Sequence, residues 1–213
     1  MPYIETISTP QEIEIAVWRL TEELPQLLAM WGDAPLPANF DKASSEKRRR
    51  EILATALLLR RYWGYDTPLQ HADNGAPIIE QGNISISHTA THVVVAFHPT
   101  RRIGVDIESL GTKVARVASR FMSSDELASL PDDTAETSGD ISCRLAAMHI
   151  AWSVKEAIYK IYPTAVEFRE DIILSPISHR LEGSTLATLT LDNKNITAHY
   201  TLYNGCSLAW VAE

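Results

Sequence analysis

Asp106 and Glu108 stand two residues apart in the run 103–110, IGVDIESL. On a strand, residues at that spacing point the same way, roughly 6–7 Å apart. Two carboxylates so placed suit a hard divalent cation. Magnesium takes one or two carboxylates and completes its shell with water and substrate phosphates. When the motif stands alone, a strand end with its acids in water is the commoner meaning of D-x-E. A third acid shifts the balance. In the run 151–160, AWSVKEAIYK, Glu156 and Lys160 lie four apart on one helical face, with Trp152 one turn earlier. A bulky aromatic on that face argues for packing rather than for a solvated ion pair. A partly buried glutamate beside a lysine can serve as a base or a ligand.

Cationic elements accompany the acids. His88 closes the alternating run 84–88, ISISH, next to Ser87. Arg48, Arg49 and Arg50 follow one another at the start of a helical stretch. Such a run usually marks a solvated face, but guanidinium forks also match phosphate oxygens.

The elements that must position these groups follow from periodicity. Residues 11–20 alternate Ile13, Ile15 and Val17 with polar partners and predict a strand. Ser44 and Ser45, with Glu46 close behind, predict a helix start; the helix then runs to Trp63 and stops at Gly64. Asn74-Gly75 marks a turn. Residues 84–88 and 93–97 read as a hairpin whose second strand is buried. Helical spacing recurs over 113–121, and Ser123 caps a short helix through Leu130. A polar, acidic loop fills 131–140, and a long helix over 142–162 ends at Pro163. The tail alternates over 166–174, 184–191, 196–203 and 207–211, with a turn at Asp192-Asn193. There is no strand–helix–strand rhythm, so the fold class is α+β.

Bulk composition narrows the function. The 213 residues carry a net charge of −8, which disfavours nonspecific nucleic-acid binding. Local basic clusters leave room for an anionic ligand. No run is apolar and long enough to span a membrane, and the acidic N-terminus does not resemble a secretory leader. Cys143 and Cys206 have no metal-type spacing and are expected as thiols in a cytoplasmic protein.

The order N-G-x-P, I-S-I-S-H-T, I-G-V-D-I-E, F-M-S-x-x-E and W-S-V-K-E-A-x-x-K resembles the 4′-phosphopantetheinyl transferases, in particular the large single-chain, surfactin-synthetase-activating type in its W/KEA variant. The match covers about residues 40–162. The resemblance implies two similar α+β halves related by pseudo-twofold symmetry, here 1–102 and 103–213, with coenzyme A in the cleft between them. It implies a monomer, since such a cleft needs no partner subunit. It also implies transfer of the phosphopantetheine arm to a serine of an apo acyl or peptidyl carrier protein, leaving 3′,5′-ADP.

Carried onto this sequence, Asp106, Glu108 and Glu156 match the magnesium-binding acids. Glu156 also matches the base for the serine hydroxyl, Lys160 the lysine at the diphosphate, and Asp106 belongs to the catalytic set. Coenzyme A contacts are expected from Arg49 or Arg50, Gly75, Pro77, Ser87, His88, Lys155 and Lys160, and Glu126 matches a further central acid. Ala76 departs from the family, which often has a lysine there against the 3′-phosphate.

Lys113, Arg116 and Arg120 recur at helical spacing, with Phe121 and Met122 beside them. A basic, apolar strip of that kind would suit an acidic carrier protein. Two rival readings are a non-catalytic binder of coenzyme A or carrier proteins on the same fold, and an unrelated magnesium-dependent diphosphate hydrolase.

Overall fold

The computed structural model describes residues 3–64, 69–72, 75–133, 141–162, 166–177 and 182–213. The expected turn residue Asn74, the helix stop Pro163 and most of the acidic loop, 134–140, lie outside the described residues. The chain divides into two compact units, residues 1–101 and 102–213.

The N-terminal unit contains β1 (Tyr3–Ser8), β2 (Glu14–Arg19), α1 (Leu24–Trp31), α2 (Glu46–Trp63), β3 (Gln70–His71), β4 (Pro77–Ile78), β5 (Asn83–His88) and β6 (His92–His98). Its main sheet runs β1-β2-β6-β5, every pair antiparallel. Helix α2 begins where Ser45 accepts the Arg48 backbone N–H at 3.2 Å and ends at Gly64 in the left-handed region, φ 62°, as its caps predict. Its apolar face, Leu53, Ala54 and Leu58, packs with Trp18, Val93 and Val95 of the sheet. The expected hairpin is β5–β6. The expected strand over 11–20 shrinks to β2, and it does not alternate: Ile15, Ala16, Val17 and Trp18 are all buried. The sequence reading missed β1 and α1. Helix α1 is only eight residues long, carries a proline in its first turn, and starts at Glu23, an unusual cap that forms a reciprocal box with Gln26.

The C-terminal unit contains β7 (Ile103–Ser109), α3 (Val114–Phe121), α4 (Ser124–Ala128), α5 (Cys143–Ile161), β8 (Ile172–Leu174), β9 (Glu182–Leu189), β10 (Lys194–Tyr203) and β11 (Cys206–Ala212). Its sheet runs β7-β11-β10-β9-β8, again antiparallel throughout. Helix α5 lies across it, burying Ala151, Val154 and Ile158 with Tyr200, Ala209 and Val211. Helices packed on antiparallel sheets make the chain α+β. The strand expected over 166–174 survives only as β8, because Asp171 accepts the Glu167 backbone N–H at 2.8 Å and folds the preceding residues into a turn. Asn193 takes φ 55° at the expected turn between β9 and β10. No helix of the described residues is long and apolar enough to cross a membrane. Cys143 and Cys206 are both buried and are not joined in a disulfide.

Gly104 sets the distance between α5 and β7. A Cβ built there would sit 1.9 Å from the Ala157 carbonyl oxygen. Helix and strand therefore meet backbone to backbone at this point. Gly104→Ala is expected to push α5 outward and destabilise the protein by about 1–3 kcal/mol or more. A fall in the urea midpoint measures this; an unchanged midpoint would contradict the backbone-to-backbone contact.

Candidate active site

Strand alternation turns Gly104, Asp106 and Glu108 toward α5, and helical spacing turns Trp152, Glu156 and Lys160 toward β7. Asp106 is buried, at 4% exposure, whereas Glu108, Glu156 and Lys160 are half-buried. The Trp152 indole N–H donates to Glu108 Oε1 at 3.1 Å. The ring is itself wedged edge-on to Phe121, 4.9 Å between centroids, and against Phe168. The Lys160 ammonium donates to Asp106 Oδ1 at 3.0 Å and to the Val105 carbonyl at 2.7 Å. The lysine thus spans from helix to strand and ties Asp106 in place.

Charge is unbalanced here, with three carboxylates against one ammonium. Burial, then repulsion from Asp106, raises the Glu108 carboxyl above its ordinary range, with the Trp152 hydrogen bond and Lys160 opposing. Burial first, then Asp106, pushes Glu156 up to about 7; Lys160 opposes and Glu108 adds to the rise. Without a cation Glu156 therefore holds its proton up to near neutrality, and a cation bound among these acids would release it. The same surplus of negative charge, borne by hard oxygen donors, fits magnesium. Among the described residues no three such groups form a ready-made metal cage. A cation bound here would draw on these three carboxylates and complete its shell with water and substrate phosphate.

The family model of the 4′-phosphopantetheinyl transferase superfamily matches residues 102–210, just over half of the chain. The chain belongs to the 4′-phosphopantetheinyl transferase superfamily. No curated protein matches it. The matched segment holds every acid of the site, together with Trp152 and Lys160.

Several expected contacts of the transferase are corrected by its structure. Lys155 was expected to touch coenzyme A, but it is fully buried. It donates to the Phe121 carbonyl at 2.8 Å, to Glu126 Oε2 at 3.0 Å and to the Phe168 carbonyl at 2.8 Å, so all three ammonium hydrogens are spent inside the unit. Its position, one residue before Glu156, turns it about 100° around α5, away from the acids and into the core. Glu126 is structural too. It accepts the backbone N–H of Ser123 at 2.6 Å and of Leu174 at 2.9 Å, joining α4 to β8 around the lysine. Phe121 and Met122, expected on a docking strip, are core residues at 2% exposure, because Val114, Ala118 and Phe121 form the inward face of α3. Lys113, Arg116, Val117 and Arg120 are exposed.

The N-terminal unit has its own cavity, about 210 Å³, lined among others by Trp31, Arg48, His71, Gly75, Pro77 and His88. Gly75, Pro77 and His88 thus line one cavity, with Gly75 at φ 83° in the turn between β3 and β4. Ser87 is not among the lining residues; it is buried on the other face of β5. Neither Arg49 nor Arg50, the arginines expected to contact coenzyme A, lines this cavity. Arg50 donates to the carbonyls of Glu22 and Leu20, and Arg49 lies 5.6 Å over the Phe40 ring. Arg48 is the member of the run that reaches the cavity. Helical phase carried that signal: Arg48, Ile52, Ala56 and Leu59 share one face of α2, and all four line the cavity. Glu51, buried beside Arg48 and His88, was not singled out from sequence.

Proposed function

We propose that the protein transfers the 4′-phosphopantetheine arm of coenzyme A to a serine of an apo acyl or peptidyl carrier protein, in a magnesium-dependent reaction that releases 3′,5′-ADP. The observation that carries this reading is the convergence of Asp106, Glu108, Glu156 and Lys160 between β7 and α5, all inside the segment that the family model matches. Asp106, Glu108 and Glu156 would hold the magnesium ion, which supplies neutralising charge to the diphosphate. The serine oxygen attacks the phosphorus that bears the pantetheine arm, a new P–O bond forms, and the bond to the departing 3′,5′-ADP breaks. Glu156 accepts the serine proton. Lys160, fixed by Asp106 and the Val105 carbonyl, offers positive charge to the same oxygens. Phosphoryl transfer asks mainly for this positioning and charge compensation. Arg48 and His88 hold coenzyme A phosphate in place of the lysine that Ala76 does not provide.

In this reading the enzyme is a single-chain, monomeric transferase of the cytoplasm. The exposed face of α3, with Lys113, Arg116, Val117 and Arg120, receives the acidic carrier. Reversing charge with Arg116→Glu and Arg120→Glu is expected to raise KM for the carrier about tenfold and leave KM for coenzyme A unchanged, since rim charges act on encounter. Equal carrier KM values in steady-state assays would remove α3 from the docking surface.

The test of the function is an intact-mass measurement on apo-carrier incubated with the protein, coenzyme A and magnesium. A gain of one phosphopantetheine arm supports transfer. Coenzyme A binding without a gain would support a non-catalytic binder, and consumption of coenzyme A without a carrier would support a hydrolase.

A further inference from the structure

Glu51 is a carboxylate at 3% exposure in the first turns of α2. A buried carboxylate is costly unless charges compensate it. Here Arg48 Nη1 lies 3.1 Å from its Oε2, Lys47 Nζ 3.7 Å and His88 Nδ1 3.5 Å from its Oε1. Arg48 Nη1 also lies 2.6 Å from His88 Nε2. A guanidinium only donates, so that ring nitrogen accepts. The proton of a neutral His88 then sits on Nδ1, facing Glu51. The order is carboxylate, imidazole, guanidinium. Arg48 and His88 line the cavity, and Glu51 stands behind them without lining it.

With His88 neutral, its Nε2 lone pair cannot hold an anion. An entering phosphate would draw the Arg48 N–H away from Nε2. The exposed nitrogen then gains a proton and donates it to the same phosphate, while Glu51 at Nδ1 stabilises the imidazolium. We propose that Glu51 is a positioning residue that primes Arg48 and His88 to clamp a phosphate group in this cavity, with uptake of a proton on binding. The inference rests on the coenzyme A reading above and assigns the residue behind its phosphate contacts. Charged and titratable groups near His88 include Arg48 and Glu51 of α2, Lys47 through Glu51, and His71 of β3, which lines the same cavity.

Calorimetric titration of coenzyme A into the full chain at pH 8, in two buffers of different ionisation enthalpy, reads affinity and protons together. The wild type is expected to take up about one proton per coenzyme A. Glu51→Gln keeps shape but not charge, and is expected to bind at least tenfold more weakly with uptake near zero, while kcat at saturating coenzyme A stays within about threefold. A merely structural role would lower folded protein or kcat and leave proton uptake unchanged. Should Glu51→Gln not fold, Glu51→Asp carries the same test, since it keeps the charge but draws it back from His88 and Arg48, and is expected to weaken binding and lower proton uptake. Repeating the titration with 3′-dephospho-coenzyme A locates the group: lost uptake assigns the 3′-phosphate and retained uptake the diphosphate, both in keeping with the proposal. Wild-type affinity and uptake in Glu51→Gln, or no uptake in the wild type, overturns it. A wild type that does not bind coenzyme A at all fails at the functional reading instead.

Discussion

Glu156→Gln is expected to cut the transfer rate by about 10²–10⁴, the usual worth of a positioned general base, and to stabilise the metal-free protein at the same time. The two effects have one cause. Glu156 is held at about 7 in the folded chain, against 4.5 for an ordinary glutamate. The folded state therefore binds the proton more tightly than the unfolded state. Between those two values stability falls as pH rises, and above 7 the penalty of ionising among Asp106 and Glu108 is fully present. Glutamine never ionises and escapes it. After allowance for the solvent that still reaches this half-buried group, the gain at pH 8 is expected at about 1–2 kcal/mol, shrinking toward zero near pH 5. Urea denaturation of both proteins at the two pH values, paired with initial rates, checks both halves. A variant that loses activity and stability together would show that Glu156 supports the fold rather than the chemistry.

Lys155→Ala is expected to be the most damaging change to the fold, costing about 3–5 kcal/mol. Removing one member of a buried pair leaves the other as an uncompensated charge. Glu126 would remain at 4% exposure with only the backbone N–H groups of Ser123 and Leu174 to hold it. Lys155 also fastens the Phe121 and Phe168 carbonyls, which carry the two rings against Trp152. Loss of the lysine thus loosens the tryptophan that orients Glu108. Chemical denaturation measures the cost. A loss below about 1 kcal/mol, with coenzyme A affinity reduced, would return Lys155 to substrate binding.

Much of the site could be read from spacing. Asp106, Glu108, Glu156 and Lys160 lie in strongly periodic segments, and strand alternation and helical phase alone place them on facing surfaces. Gly104 could be read as a close backbone approach, and the Ala157 carbonyl is what approaches. What spacing does not carry is depth. Lys155 and Lys160 look alike in W-S-V-K-E-A-x-x-K, yet one is interior and the other faces the acids, because five residues along a helix reverse the face. Phe121 and Met122 follow a basic stripe and seem continuous with it, but the amphipathic turn of α3 buries them. Arg48 and Arg50 differ only in phase, and the partner that distinguishes them, Glu51, looks from sequence like one more surface charge. Short or weakly periodic elements, β1 and α1, gave no signal that outweighed their neighbours. The turn at 168–171 interrupted an apolar alternation through a single side-chain bond from Asp171.

The coupled acid centre is tested most directly by a carboxyl ¹³C NMR titration of the metal-free protein, with the Glu156 resonance identified by its loss in Glu156→Gln. The account predicts a midpoint near 7 that moves sharply down when magnesium is added. A midpoint near 4.5 that magnesium leaves in place would contradict it.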